Sequence, residues 1–211
     1  MVCRQYLQEL VGNQEHAMSD PRTALLIVDV QPTFCEGGSL PVKGGNAVAE
    51  KITQMLSGDH GFTMVITTQD WHVNPVNHFG EEPDYIDSWP PHGVAGTREA
   101  ELHPALEPIS AQITAQIKKG FYSAAYSGFE GEDEEGISLA DILDGGNIER
   151  LVAVGLAFDY CVKATAIDGK KLGYVTAVLK PLTASISEES ATVAEEEMQS
   201  AGVSIIEELS W

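Results

Sequence analysis

The stretch "RLVAVGLAFDYCVKATAIDGKKLG", residues 150–173, changes character part-way along. Up to Phe158 it is an apolar run without period-two polarity, the pattern of a strand buried on both faces of a parallel sheet. From Val162 the spacing turns helical and ends near Gly173. A strand feeding directly into a helix is the repeating unit of α/β architecture. Cys161 stands at the junction, two residues after Asp159.

The same alternation extends in both directions. Further strand-like runs are "TALLIVDV" (23–30), "TMVITTQ" (63–69), "AQITAQI" (111–117), "YVTAVLK" (174–180) and "VSIIEEL" (203–209). Between them, "GGNAVAEKITQMLS", "SLADILDGG" and "ATVAEEEMQSAG" carry helix-like spacing and end near glycine. The expectation is α/β, a parallel sheet of about six strands with helices on both faces. A chain of 211 residues can bury one sizeable core, so a single domain is read over residues 23–211, with 1–22 as an N-terminal extension. Tyr6, Leu7, Leu10 and Val11 recur at helical spacing, so the extension is read as a helix lying on the domain, with Met18 as the alternative start.

Composition excludes several function classes. Twelve basic against 32 acidic residues leave a formal charge of −20, which repels phosphate backbones and anionic membranes, so neither nucleic acid nor membrane is expected as a partner. The densest acidic runs, such as "EGEDEEG" at 130–136, read as solvated faces. No apolar run approaches the ~18 residues of a membrane span, and the opening residues lack the apolar segment of a signal peptide. Cys3, Cys35 and Cys161 are odd in number and lack C-x-x-C spacing, which argues against a disulfide framework or a zinc ribbon and for a reducing, cytoplasmic setting.

In open parallel sheets the active crevice lies beyond the carboxyl ends of the strands. Strand one ends at Asp29, strand two at Asp70 and His72, strand three at Lys119, and strand four runs into Asp159 and Cys161. A helix N-terminus and a neighbouring ammonium such as Lys119 both lower a thiol's pKa, so Cys161 is a candidate nucleophile, with Asp29 to take and return its proton. Each residue also has a plain explanation: a packed cysteine, Asp159 as a helix N-cap, Lys119 as surface. Asp29, a carboxylate following "LLIV", needs a partner or a task.

A second constellation lies in the long Pro-, His- and Gly-rich connection from Trp71 to about Pro108, longer than compact domains keep without a use. Asp70, His72, His78 and His92 fall there; one carboxylate with imidazoles suits zinc, iron or manganese, although H-E-x-x-H spacing is absent. A third is aromatic: Phe34, Trp71, Trp89 and Tyr126, which either pack or sandwich a planar ligand.

The segments "LLIVDVQPTFCEGGSLPVKGG", "TQDWHVNPVNHF", "PDYIDSWPPHGVAGT", "KKGFYSAAYSGFEG" and "VGLAFDYCVKATA" together resemble the nicotinamidases, also called pyrazinamidases, of the isochorismatase-like cysteine hydrolases. The resemblance runs from about residue 23 to the last strand and implies the isochorismatase-like hydrolase fold. It implies a catalytic triad of Asp29, Lys119 and Cys161, and one divalent metal, zinc favoured over iron or manganese, on Asp70, His72, His78 and, in some members, His92. It further implies a pocket lined by Phe34, Trp89 and Tyr126, and an oxyanion hole from the backbone N–H groups of Ala157 and Cys161 with a cis Leu156–Ala157 peptide. The implied reaction is hydrolysis of nicotinamide to nicotinate and ammonia through a cysteine thioester, with pyrazinamide as a second substrate. Tyr160 stands where members often carry histidine, a departure expected to touch only local packing.

Overall fold

The computed structural model describes residues 21–86 and 88–209. The helix expected over the first twenty residues, and Met18 with it, lies outside the described residues. Six strands form one sheet: β1 (Thr23–Val28), β2 (Met64–Asp70), β3 (Ala115–Lys119), β4 (Arg150–Leu156), β5 (Val175–Ala184) and β6 (Ser204–Ile206). All pairs are parallel, in the order β3-β2-β1-β4-β5-β6.

Every residue of β1 is buried, and alternate positions feed opposite faces of the sheet. Leu25 and Ile27 pack with Val48, Ala49, Ile52 and Leu56 of helix α1 (Gly45–Leu56). Ala24, Leu26 and Val28 share the other core with α2 (Leu139–Gly145), α3 (Lys163–Lys171) and α4 (Glu188–Ser200). Burial on both faces is why these strands lack period-two polarity, and a fully buried aliphatic side chain contributes about 1.5–3 kcal/mol. Gly155 (φ 107°) closes β4 on β1, since a Cβ there would stand 2.1 Å from the Val28 carbonyl oxygen. Among the described residues no helix is long and apolar enough to cross a membrane.

The chain winds outward from β1 through β2 to β3, then returns to lay β4 on the other side of β1. The strand order therefore reverses between β1 and β4, and ligands in such sheets bind outside the carboxyl ends at that reversal. Asp29 follows β1 and Cys161 follows β4, so both stand at its mouth.

Three local expectations shift. The run at 111–117 is only partly strand: Pro104–Gln112 forms 3-10 turns with Pro108 inside, and β3 starts at Ala115. β5 continues to Ala184, past Lys180, and β6 is confined to Ser204–Ile206. The strand-to-helix junction is not a plain helix start, because Phe158–Val162 forms a π turn before α3.

Candidate active site

Asp29 leaves β1 in the left-handed region (φ 48°), where aspartate is among the few non-glycine residues at home. The turn aims its carboxylate across the strand ends. Thr68 Oγ1 donates to Asp29 Oδ1 at 2.6 Å, and the Asp29 N–H donates to the Thr68 carbonyl at 3.1 Å. Lys119 Nζ stands 3.0 Å from Asp29 Oδ2, yet off the hydrogen-bonding angle, so this oxygen is buried without a hydrogen-bond partner.

Lys119 is fully buried at the end of β3, in register with Asp70 of β2. Its ammonium donates to Asp70 Oδ1 and, at 3.0 Å, to the Ala125 carbonyl; Cys161 Sγ lies 3.8 Å away. The surface reading of Lys119 is thereby overturned: one cation spans both polar constellations. Burial works against its charge, but Asp29, Asp70 and Cys161 outweigh burial and carry its pKa well above the ordinary value. Burial raises Asp29, with Lys119 opposing.

The thiol departs from expectation. Burial pushes the Cys161 pKa well up, Lys119 pulls it down less than burial lifts it, and Asp29 and Asp70 add to the rise. Burial thus favours the neutral thiol, and Cys161 sits in a π turn and not at a plain helix start. That turn does something else. The Ala157 carbonyl accepts the N–H groups of Tyr160 and Val162, at 3.1 Å each, and not that of Cys161, which an α turn would direct there. The Leu156–Ala157 peptide is cis, and Ala157 and Cys161 both line the pocket.

His72, His78 and His92 gather so that one ring nitrogen from each lies within 4.8 Å of the others. His72 Nδ1 donates to the Gly120 carbonyl at 2.5 Å and His92 Nδ1 to the Pro90 carbonyl at 2.7 Å, which leaves each Nε2 as a lone pair. Both Nε2 atoms face Asp70 Oδ2, at 3.5 and 3.6 Å, too far for good hydrogen bonds. His72 Nε2 and His78 Nδ1 are buried without a partner. Burial, then His92 and His72, lower the His78 pKa to about 4, and burial lowers that of His92. Converging lone pairs beside a carboxylate oxygen are unfavourable alone and suit a divalent cation, so these residues fit a metal. Asp70 sits at the cluster's edge, its other oxygen held by Lys119; burial raises its carboxyl, but Lys119, His72 and His92 together outweigh burial and keep it well below the usual range. Gly120 (φ 76°) is required here, since a Cβ would press to 2.5 Å on the His72 ring.

Phe34, Trp89 and Tyr126 wall the pocket above Cys161 and beside His78 and His92. Trp89 Nε1 donates to the Tyr126 hydroxyl at 3.1 Å. Trp71 is not among the lining residues; Lys118 Nζ sits 4.2 Å over its ring.

The isochorismatase domain family matches residues 23–208. The chain belongs to the isochorismatase family. Over 183 residues it is 45% identical to the nicotinamidase/pyrazinamidase of Mycobacterium tuberculosis, covering 87% of this chain and 97% of that protein. The structure of PnC1 from L. infantum in complex with nicotinate superposes with a TM-score of 0.76 at 34% identity, covering 89% of this chain and 93% of that one. The pyrazinamidase of Pyrococcus horikoshii in complex with zinc gives a TM-score of 0.72 at 34% identity, over 88% and 99%. Parallel order, strand-end site and helix layers are thus those of the isochorismatase fold.

Two parts of this isochorismatase-family pocket were not read from the sequence. Tyr160, expected to matter only for packing, lines the pocket and meets Trp89 edge-on, 5.2 Å between centroids and 90° between planes. Its place beside a candidate nucleophile was the available signal. Leu40, Val42 and Ile186 complete the wall from loops, and apolar loop residues carry no chemical signature in a sequence. Asp159 is not the cap of α3: its carboxylate accepts the Ile186 N–H and the Ser190 hydroxyl instead.

Proposed function

We propose that the chain hydrolyses nicotinamide to nicotinate and ammonia, and pyrazinamide likewise, through a thioester on Cys161. The observation that carries this reading is that Lys119 stands against both Asp29 and Cys161, with Cys161 lining an aromatic pocket that His78 and His92 of the imidazole cluster also line. The M. tuberculosis relative, named for both activities, and the L. infantum structure with nicotinate support the choice of substrate.

Asp29 Oδ2, lacking a hydrogen-bond partner, takes the Cys161 proton as sulfur adds to the carboxamide carbon. Lys119 holds Asp29 in place and balances the charge that moves between thiol and carboxyl. The N–H groups of Ala157 and Cys161 receive the developing oxyanion; with the π turn steering the Ala157 carbonyl to other amides, the Cys161 N–H is spared that bond. Asp29 returns its proton to the departing nitrogen, releasing ammonia and leaving the acyl group on sulfur. Water then enters and Asp29 takes its proton as oxygen adds to the carbonyl carbon. Sulfur leaves, Asp29 reprotonates it, and the acid product gives up its proton to solvent and departs as nicotinate. Phe34, Trp89 and Tyr126 hold the flat ring.

Asp70, His72, His78 and His92 would hold one divalent transition metal, zinc rather than iron or manganese, a choice supported by the P. horikoshii structure with zinc. When bound, such an ion supplies a Lewis acid for an electron-pair donor such as a pyridine nitrogen. The hydrolase unit is taken as residues 23–211, with 1–22 outside the chemistry. A nucleophilic thiol needs reducing surroundings, which supports a cytoplasmic location. An ammonia-release assay across nicotinamide, pyrazinamide and unrelated small amides tests the reading. Turnover of another amide with none of nicotinamide would sink it.

A further inference from the structure

Asp159 is buried within the nucleophile's turn, and its carboxylate accepts from the connection between β5 and α4 and does not cap α3. Its oxygens accept the Ile186 N–H at 3.1 and 3.2 Å, and one also accepts the Ser190 hydroxyl. Ile186 lies in the short connection between β5 and α4. Sheet pairing ends at Leu156 with Ala184, and the α4 cap begins with Ser187, whose hydroxyl accepts the Ser190 N–H. The backbone between these two points is thus tied by Asp159. Ile186 is 48% exposed and still lines the pocket alongside Tyr160 and Cys161, so it stands at the rim with one side in the site and the other in solvent.

We infer that Asp159 is a positioning residue for substrate: by holding the Ile186 N–H it fixes Ile186 as the rim of the pocket, and this rim governs ring binding and the exclusion of bulkier ring amides. The inference rests on the nicotinamidase reading for its substrate and on the hydrogen bonds alone for its geometry. Removing the acceptor frees the connection, the apolar rim withdraws, and binding common to ground and transition states is lost. Loss of that kind raises KM and leaves kcat in place.

The test compares Asp159→Ala, Asp159→Asn and Ile186→Ala with the wild-type protein. For nicotinamide, Asp159→Ala and Ile186→Ala should each raise KM by about tenfold, the scale of lost apolar pocket contact, with kcat held. Asp159→Asn keeps an acceptor oxygen and should recover much of the loss. The double variant Asp159→Ala/Ile186→Ala should show a KM no higher than the worse single variant, because both act on one rim. Quinoline-3-carboxamide, which adds a fused ring to the same amide head, should gain on nicotinamide in kcat/KM in both alanine variants. A fall in kcat at unchanged KM, or multiplying KM effects, would overturn the inference.

A second measurement needs no substrate. Cys161 is alkylated in parallel by iodoacetamide and by a bulky aryl maleimide and followed at its peptide by mass spectrometry. The ratio of the two rates cancels any change in thiol acidity. Asp159→Ala and Ile186→Ala should raise the bulky-to-small ratio several-fold; an unchanged ratio defeats the rim. A wild-type protein inert toward nicotinamide would defeat the activity reading, and this ratio would still decide the geometry.

Discussion

Lys119 donates to Asp70 while standing 3.0 Å from Asp29 Oδ2, so a single buried ammonium joins the imidazole cluster to the thiol. Among the described residues, Lys119 is the lysine or arginine paired with either carboxylate, and only the histidines also face Asp70. Removing the ammonium leaves two carboxylates buried together. Breaking a buried pair by deleting one partner costs about 3–5 kcal/mol. Lys119→Met, which keeps the apolar stem, should therefore lower unfolding free energy by about that amount in urea titration. It should also weaken metal retention, because Asp70 loses the donor that orients it. Wild-type stability in this variant would show that the two acids are neutralised by some other means.

Cys161→Ala removes the atom that forms the covalent bond and little else. The side chain is small, buried and in no hydrogen bond that the fold needs, so the protein should fold, keep its metal and bind nicotinamide. Turnover should fall to essentially nothing. Nicotinamide affinity measured by calorimetry, set beside ammonia release, checks both halves. Substantial residual turnover would remove Cys161 from the role of nucleophile.

Asp29→Asn separates thiol acidity from catalysis. Asp29 raises the Cys161 pKa through its charge, while Lys119 lowers it. An amide in place of the carboxylate removes the charge that raises the thiol and leaves the ammonium, so the folded thiol pKa moves down and the thiolate fraction at neutral pH goes up. Alkylation of Cys161 at neutral pH should accordingly be faster than in wild type, and turnover should be nearly abolished because the amide cannot carry the proton. Slower alkylation, or wild-type turnover, would move the base elsewhere.

The polar half of the site was legible because each member ends an apolar run: Asp29 after "LLIV", Asp70 and Lys119 at their strand ends, Cys161 after strand four. Buried strands leave few places for polar side chains, so the strand-end rule finds them. Lys119 was less readable, since whether a lysine is surface or core depends on which acids the sheet register sets beside it. Tyr160 and Ile186 were illegible in a deeper sense. Their place follows from the π turn and from the Asp159 bond to Ile186, both set by tertiary packing. Asp159 looked like a cap because a short acid before a helix usually is one, and here α4 claims it instead.

The imidazole cluster makes the sharpest demand on substrate choice. With each Nδ1 of His72 and His92 spent on a backbone carbonyl, the inner nitrogens are fixed as lone pairs toward Asp70 Oδ2. If a metal held there takes a ring nitrogen, benzamide, which keeps the carboxamide and the flat ring, should be a far poorer substrate than nicotinamide. Shape cannot produce that difference, because a purely apolar pocket separates near-isosteres weakly. A site built around a polar partner rejects an analogue lacking it by up to ~10⁴ or more. Pyrazinamide keeps a nitrogen at the equivalent position and should still react. Chelation, and His72→Ala, should depress nicotinamide turnover sharply, and metal analysis of protein purified without added metal should find the ion in wild type and a reduced content in His72→Ala. The measurement is kcat/KM for nicotinamide against benzamide, with metal bound and after chelation. Benzamide reacting as well as nicotinamide, or chelation changing neither rate, would mean that the three imidazoles do not select the substrate.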